Sequence, residues 1–195
     1  MKLIFATNNK NKIIEVQALL NNKFNIQSLE EINCFEDIIE NKDTIEGNAI
    51  LKAKYIYDNY KVDCFADDTG LEVESLNGQP GVMSKRFSGA DSNSDKNMDK
   101  LLKLMEFSEN RKAKFKTVVA LIYKGELTTF TGLCAGEIIT NKKGEKGFGY
   151  DPIFKPNGHK YTFAEMDLEI KNKIGHRAKA VNKLIEFLSK KISIK

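Results

Sequence analysis

No stretch of the sequence approaches the ~18 consecutive apolar residues that a membrane-spanning helix needs, so no membrane partner is expected. The apolar start, Leu3 to Ala6, turns polar at Thr7. It is too short for a signal peptide and reads better as a strand. Cysteine is scarce. Cys34, Cys64 and Cys134 are odd in number, far apart and without Cys-x-x-Cys spacing, which argues against a disulfide framework and against a zinc site. Core-packed, reduced thiols and a cytoplasmic location fit that usage. Excess charge is scarce too. Lys and Arg number 31 against 27 Asp and Glu, a net +4, with both signs mixed along most of the chain. A nucleic-acid binder concentrates positive charge in a patch or stripe, so no nucleic-acid partner is expected. A small anionic substrate stays compatible. Internal repeats and low-complexity linkers are absent. The 195 residues suit one domain, residues 1–195, with room for two lobes around a cleft.

Periodicity sets the order of elements. Lys2–Ala6 reads as a buried strand, residues 7–12 as a polar turn, and Ile13, Val16 and Leu20 as one face of a helix. That succession opens an α/β protein. Residues 22–47 are acidic and irregular, and read as a short strand followed by a mobile loop. Ala49, Ala53, Ile56 and Tyr60 place a helix over 48–60. Val62–Ala66 reads as a second buried strand running into Asp67-Asp68-Thr69-Gly70, after which Leu71 and Val73 alternate with charged residues. Gly78, Pro80 and Gly81 mark turns. Met98, Leu101, Leu102 and Met105 mark another helix. Residues 115–123, 127–133 and 135–140 are strand-like, with Gly125-Glu126 between the first two as in a hairpin. Residues 144–156 are glycine-rich and aromatic, and the last helix carries Ala178, Val181, Ile185, Leu188 and Ile192. The expected fold is α/β, one domain on a long mixed sheet.

Four segments could carry chemistry, and each has a plainer reading. Thr7-Asn8-Asn9-Lys10-Asn11-Lys12 lies between a strand and a helix. A helix N-terminus offers unpaired N–H groups that bind phosphate, and Lys12 adds a cation. Helix capping by Thr or Asn is the alternative. Asp67-Asp68-Thr69-Gly70 ends a buried strand. Adjacent strand residues face opposite sides, so one carboxylate can meet a magnesium ion while the other is held by donors or a cation. A polar turn is the alternative. In Gly147-Phe148-Gly149-Tyr150-Asp151-Pro152, Phe148 could stack on a base, and a glycine-rich hairpin with two core aromatics is the alternative. Lys171 with His176 and Arg177 could read an oxo group on a purine. A lone histidine is more often a surface or packing residue.

In order and combination, these segments closely resemble the inosine/xanthosine triphosphate diphosphatases, the pyrophosphatases of non-standard purine nucleoside triphosphates. The family's Thr-x-Asn-x-x-Lys start is met by Thr7, Asn9 and Lys12. Its acidic residue ahead of an Asn-Ala helix is met by Glu40 and Asn48-Ala49. Asp-Asp-Ser-Gly-Leu is met by residues 67–71, with Thr69 for Ser. Gly78, Pro80, Gly81, Ser84 and Arg86 meet Gly-x-Pro-Gly-x-x-Ser-x-Arg. Phe148 to Phe154 meet Phe-Gly-Tyr-Asp-Pro-x-Phe, and Lys171, His176 and Arg177 meet the last segment, with Gly175 where Ser is usual. The resemblance spans nearly the whole chain.

It implies an elongated mixed β-sheet flanked by helices, two lobes around a central active-site cleft, and a homodimer. It implies hydrolysis of ITP, dITP or XTP to the monophosphate and pyrophosphate. It makes Asp68 the general base and a Mg2+ ligand with Glu40, Asp67 a support, and Lys12, Lys52 and the amides of Thr7 to Asn9 the phosphate neutralisers. Whether Mn2+ substitutes is left open. Thr69 would bond a phosphate or the sugar region. Phe148, Gly149, Tyr150, Asp151, Lys171, His176 and Arg177 would surround the base. Related enzymes acting on pyrimidine triphosphates, and a non-enzymatic nucleotide or RNA binder, are the alternatives. The second leaves Glu40, Asp67 and Asp68 without a role.

Overall fold

The computed structural model describes residues 2–20 and 24–193. Its strands are β1 (Lys2–Phe5), β2 (Asn25–Gln27), β3 (Cys64–Val73), β4 (Pro80–Gly81), β5 (Lys112–Tyr123), β6 (Glu126–Ile138) and β7 (Phe154–Pro156). Its helices are α1 (Lys10–Leu20), α2 (Ile45–Tyr60), α3 (Ser94–Leu104), α4 (Leu168–Ile174) and α5 (His176–Ser193). The strands form a mixed sheet, flanked by helices, in the order β2-β1-β3-β5-β6-β7, with β4 paired to β3. β1 runs parallel to β2 and to β3, while β4 on β3 and β7 on β6 are antiparallel. Parallel neighbours need a crossover. α1 supplies the first and α2 lies in the second.

The chain divides into two compact units that share strands. The first holds Met1–Asp68, Thr117–Gly132 and Arg177–Lys195, the second Thr69–Lys116 and Leu133–His176. Each has its own core. In the first, Phe5, Val16, Phe65, Leu121, Val181 and Leu184 are buried together. Phe5 and Phe65 are register partners on β1 and β3, and their rings stack at 4.5 Å. Such a pair contributes about 0.5–1.5 kcal/mol beyond its buried area. In the second, Leu71, Leu101, Met105, Phe115, Ile138, Phe154 and Phe163 form the core. Arg111 closes one edge of it, donating to the carbonyls of Met105, Ile138 and Ile139.

Several elements run differently from the periodicity. α1 begins at Lys10 rather than Ile13, because Asn9 caps it. β3 is one strand through Asp67-Asp68-Thr69-Gly70, with no turn. β6 continues through Cys134 where two strands were expected. The hairpin turn is Lys124-Gly125, both with positive φ (52° and 81°), the conformation whose twist suits a two-residue hairpin loop. Of residues 22–47, β2 covers 25–27 and a short 3-10 turn covers Glu30–Ile32. Residues 22 and 23 lie outside the described residues.

Candidate active site

In the first unit, the end of β1 leads into the polar segment. Thr7 Oγ1 accepts the N–H of Asn9, and Asn9 Oδ1 accepts that of Lys12. Capping is therefore what these two side chains do. It orients the first turn of α1, whose leading amides, Lys10 and Asn11, lack intrahelical partners as in any α-helix. Asn8, Lys10 and Asn11 are exposed there. Lys12 turns inward, and its ammonium donates to Asp67 Oδ1 at 2.8 Å and to the Asp67 carbonyl at 3.3 Å.

Asp67 and Asp68 point to opposite sides of β3, as neighbours on a strand do, and they meet different cations. Asp67 is 1% exposed with both oxygens engaged, Oδ1 by Lys12 and Oδ2 by Arg177 Nε at 3.0 Å. Arg177 also pairs through Nη1 with buried Glu15 of α1. Asp68 faces Lys52 of α2, 3.5 Å away, and the same ammonium meets Glu40 at 2.5 Å. Two carboxylates thus converge on one cation position.

Burial alone would raise the Asp67 carboxyl, but Lys12, Arg177 and Lys52 outweigh it and hold it well below the usual carboxylate range. Asp68 moves the other way. Burial pushes it up, Glu40 and Asp67 add to this, and Lys52 and Lys12 offset only part. Burial pulls Lys52 down, yet Asp68, Glu40 and Asp67 together leave it above its ordinary value. Burial draws Lys12 below its ordinary value, with Asp67 offsetting part.

Oxygen donors alone, one or two carboxylates with room for phosphate and water, are what Mg2+ takes. Glu40 and Asp68 fit that donor set. Among the described residues no group of three or more His, Cys, Asp or Glu gathers into a metal cluster.

The second unit assembles the aromatic segment. Asp151 Oδ2 accepts the N–H of Phe148 at 2.8 Å and the ammonium of Lys171 at 2.5 Å, so one oxygen closes the 148–151 turn and ties it to α4. A Cβ at Gly147, where φ is +74°, would lie 2.1 Å from that oxygen, so this turn requires glycine. The Lys171 ammonium lies 5.1 Å from the centroid of the half-buried Phe148 ring and 5.4 Å from that of Phe163. His176 stacks on Phe115 at 4.5 Å. The hydroxyl of buried Tyr150 donates to the Ser84 carbonyl, and Ser84 Oγ accepts the N–H of Leu71. Gly149 and Thr69 belong to this unit too, the latter half-buried on β3.

The structure therefore brings Phe148, Tyr150, Asp151, Lys171 and His176 together in the second unit. Arg177, expected with them, belongs to the first unit and engages Glu15 and Asp67. Glu15 was missed altogether. Its signal was its place three residues after Lys12 on a helix, hence on the same face. Gly175 closes α4 with its N–H on the Lys171 carbonyl, and a Cβ there would stand 2.7 Å from that oxygen. A serine would require the helix end to shift.

The chain belongs to the Ham1 family, which it matches over residues 3–187. It is 60% identical to the dITP/XTP pyrophosphatase of Flavobacterium johnsoniae, over 97% of this chain and 98% of the relative. It is 44% identical to the dITP/XTP pyrophosphatase of Caldanaerobacter subterraneus subsp. tengcongensis, over 98% of each. Among solved structures it resembles the Ham1 protein of Staphylococcus aureus, with a TM-score of 0.89 at 35% identity over 98% of this chain and 100% of that one. A HAM1 protein from Coxiella burnetii gives 0.90 at 33%, over 97% and 99%.

Proposed function

We propose that this protein hydrolyses non-standard purine nucleoside triphosphates, ITP, dITP and XTP, to the monophosphate and pyrophosphate. The observation that carries the chemistry is the buried Asp67-Asp68 pair. One carboxylate is fully committed to Lys12 and Arg177, and the other converges with Glu40 on the cation position held by Lys52. The substrate class rests on the family and on relatives named dITP/XTP pyrophosphatase at up to 60% identity.

Glu40 and Asp68 would hold Mg2+, with Mn2+ as a substitute. When bound, the ion neutralises phosphate oxygens and lowers the pKa of a coordinated water. Asp68 accepts the proton of the attacking water as its oxygen bonds to the α-phosphorus. The bond from that phosphorus to the bridging oxygen breaks, and pyrophosphate leaves. Lys12, Lys52 and the first-turn amides of α1 neutralise charge on the phosphates. Arg177 and Glu15 position Asp67. In the second unit, Phe148 provides the stacking surface for the base, while Asp151, Lys171 and His176 supply polar groups for a 6-oxo edge. The 6-amino group of ATP would present a donor to the Lys171 donor, and leaving buried polar groups unpaired is what yields strong discrimination.

The same reading includes a homodimer, on the family resemblance. It also includes a cytoplasmic location, supported by three buried cysteines that form no disulfide. Pyrophosphate release from ITP, XTP, GTP and ATP tests the substrate class. Preference for ITP and XTP is expected. Equal turnover of all four would end the account of base reading, and activity confined to pyrimidine triphosphates would replace the substrate class.

A further inference from the structure

The family pattern includes Asn48, yet nothing in the chemistry above uses it. Its side chain is buried, 1% exposed. Oδ1 accepts the N–H of Lys42 at 2.9 Å. A backbone N–H only donates, so this contact fixes which end of the amide is oxygen. Nδ2 has no acceptor among the described residues. A buried donor left unpaired is unfavourable, so the benefit of asparagine lies at its oxygen.

That oxygen holds the segment that carries Glu40. Residues 37–42 have no regular structure. Among the described residues, the backbone of residues 41–43 makes one hydrogen bond, from Lys42 to Asn48. α2 therefore grips the segment twice. Asn48 takes its backbone, and Lys52, four residues on and on the same helix face, takes the Glu40 carboxylate. The two ties differ in kind. The ionic tie uses the carboxylate itself, so a divalent cation on Glu40 competes with it. The amide tie is neutral and involves only backbone, so it persists.

Resting on the metal reading above, we infer that Asn48 is a positioning residue. It fixes the backbone beside Glu40, so that the carboxylate stays converged with Asp68 when it exchanges Lys52 for a divalent cation.

The test uses the full-length protein and two readouts. Binding of Mn2+ alone is followed by the EPR signal of the free ion, and Mg2+ is titrated in ITP hydrolysis. Asn48→Ala removes the acceptor. Lys42→Pro removes the donor at an exposed loop position, which keeps the test open if the core variant does not fold. Lys42→Ala keeps the bond. Loss of an outer partner of a metal ligand costs about 10–100-fold in metal affinity. Asn48→Ala and Lys42→Pro are therefore expected to weaken Mn2+ binding and raise half-saturating Mg2+ by at least about tenfold, with kcat at saturating Mg2+ little changed. Lys42→Ala should stay near wild type. Unchanged Mn2+ affinity in Lys42→Pro, or a Lys42→Ala protein as weak as Lys42→Pro, overturns the inference. Glu40→Gln, measured alongside, separates the two levels. If it also binds Mn2+ normally, the metal reading falls and takes the inference with it. If it alone loses binding, only the role of Asn48 falls.

Discussion

Asp67→Asn probes the most heavily committed group in the first unit. The carboxylate is 1% exposed and compensates two cations, Lys12 and Arg177, whose side chains are 12% and 3% exposed. Breaking a buried pair costs about 3–5 kcal/mol, because a charge is left uncompensated. Arg177 keeps Glu15 as a partner, which favours the lower end, about 3 kcal/mol. For a chain of this size, ~2–4 °C of melting temperature accompanies each kcal/mol, so a fall of roughly 6–12 °C is expected at neutral pH. The pH dependence has a defined sign. The folded carboxyl lies below its unfolded value of about 3.9. Its contribution is complete above that value and disappears as pH falls through the folded pKa. The gap between wild type and variant should therefore hold from pH 7 to about 5 and narrow below about 4. Urea unfolding across that range measures it. A gap under about 1 kcal/mol at pH 7, where exposed ion pairs lie, would refute the reasoning, as would a gap that widens in acid.

Other predictions follow from the same geometry. Gly147→Ala drives a Cβ against Asp151 Oδ2 in a left-handed conformation and should raise KM for ITP and lower stability by about 1–3 kcal/mol. Gly149→Ala meets nothing within 4 Å at a similar φ and should lose only about 1 kcal/mol. Equal effects in the two melts would contradict the crowding argument. Lys171→Met removes the ammonium that pairs with buried Asp151, so KM for ITP should rise and the preference for ITP over ATP should shrink. An unchanged preference would remove Lys171 from base recognition. Glu15→Gln keeps an acceptor but removes the charge facing Arg177. It should destabilise less than Asp67→Asn while reducing kcat more than it changes KM, as steady-state kinetics would show.

The sequence made some of this plain and hid the rest for physical reasons. α5 was legible because Ala178, Val181, Ile185 and Leu188 fall at helical spacing, and β5 because its run is β-branched and apolar. β3 was not legible as one strand. Two adjacent aspartates suit a turn locally, and only cations from α1, α2 and α5 make them tolerable inside a sheet. The seven-residue α4 was hidden because Leu168 to Ile174 is mostly polar. The paired aspartates, Lys12 and the 148–151 turn could be picked out because unusual residue types cluster in sequence. Glu15 carried only its helical spacing from Lys12 as a signal, since its partner Arg177 lies 162 residues away.

The central claim is attack of water on the α-phosphorus with Asp68 as base. Turnover of ITP in 18O-enriched water, with Mg2+, tests it most directly. The account predicts one labelled oxygen in IMP, none in pyrophosphate, and a rate reduced by about 10²–10⁴ in Asp68→Asn. Label in pyrophosphate, release of IDP and phosphate, or an undiminished Asp68→Asn rate would contradict it.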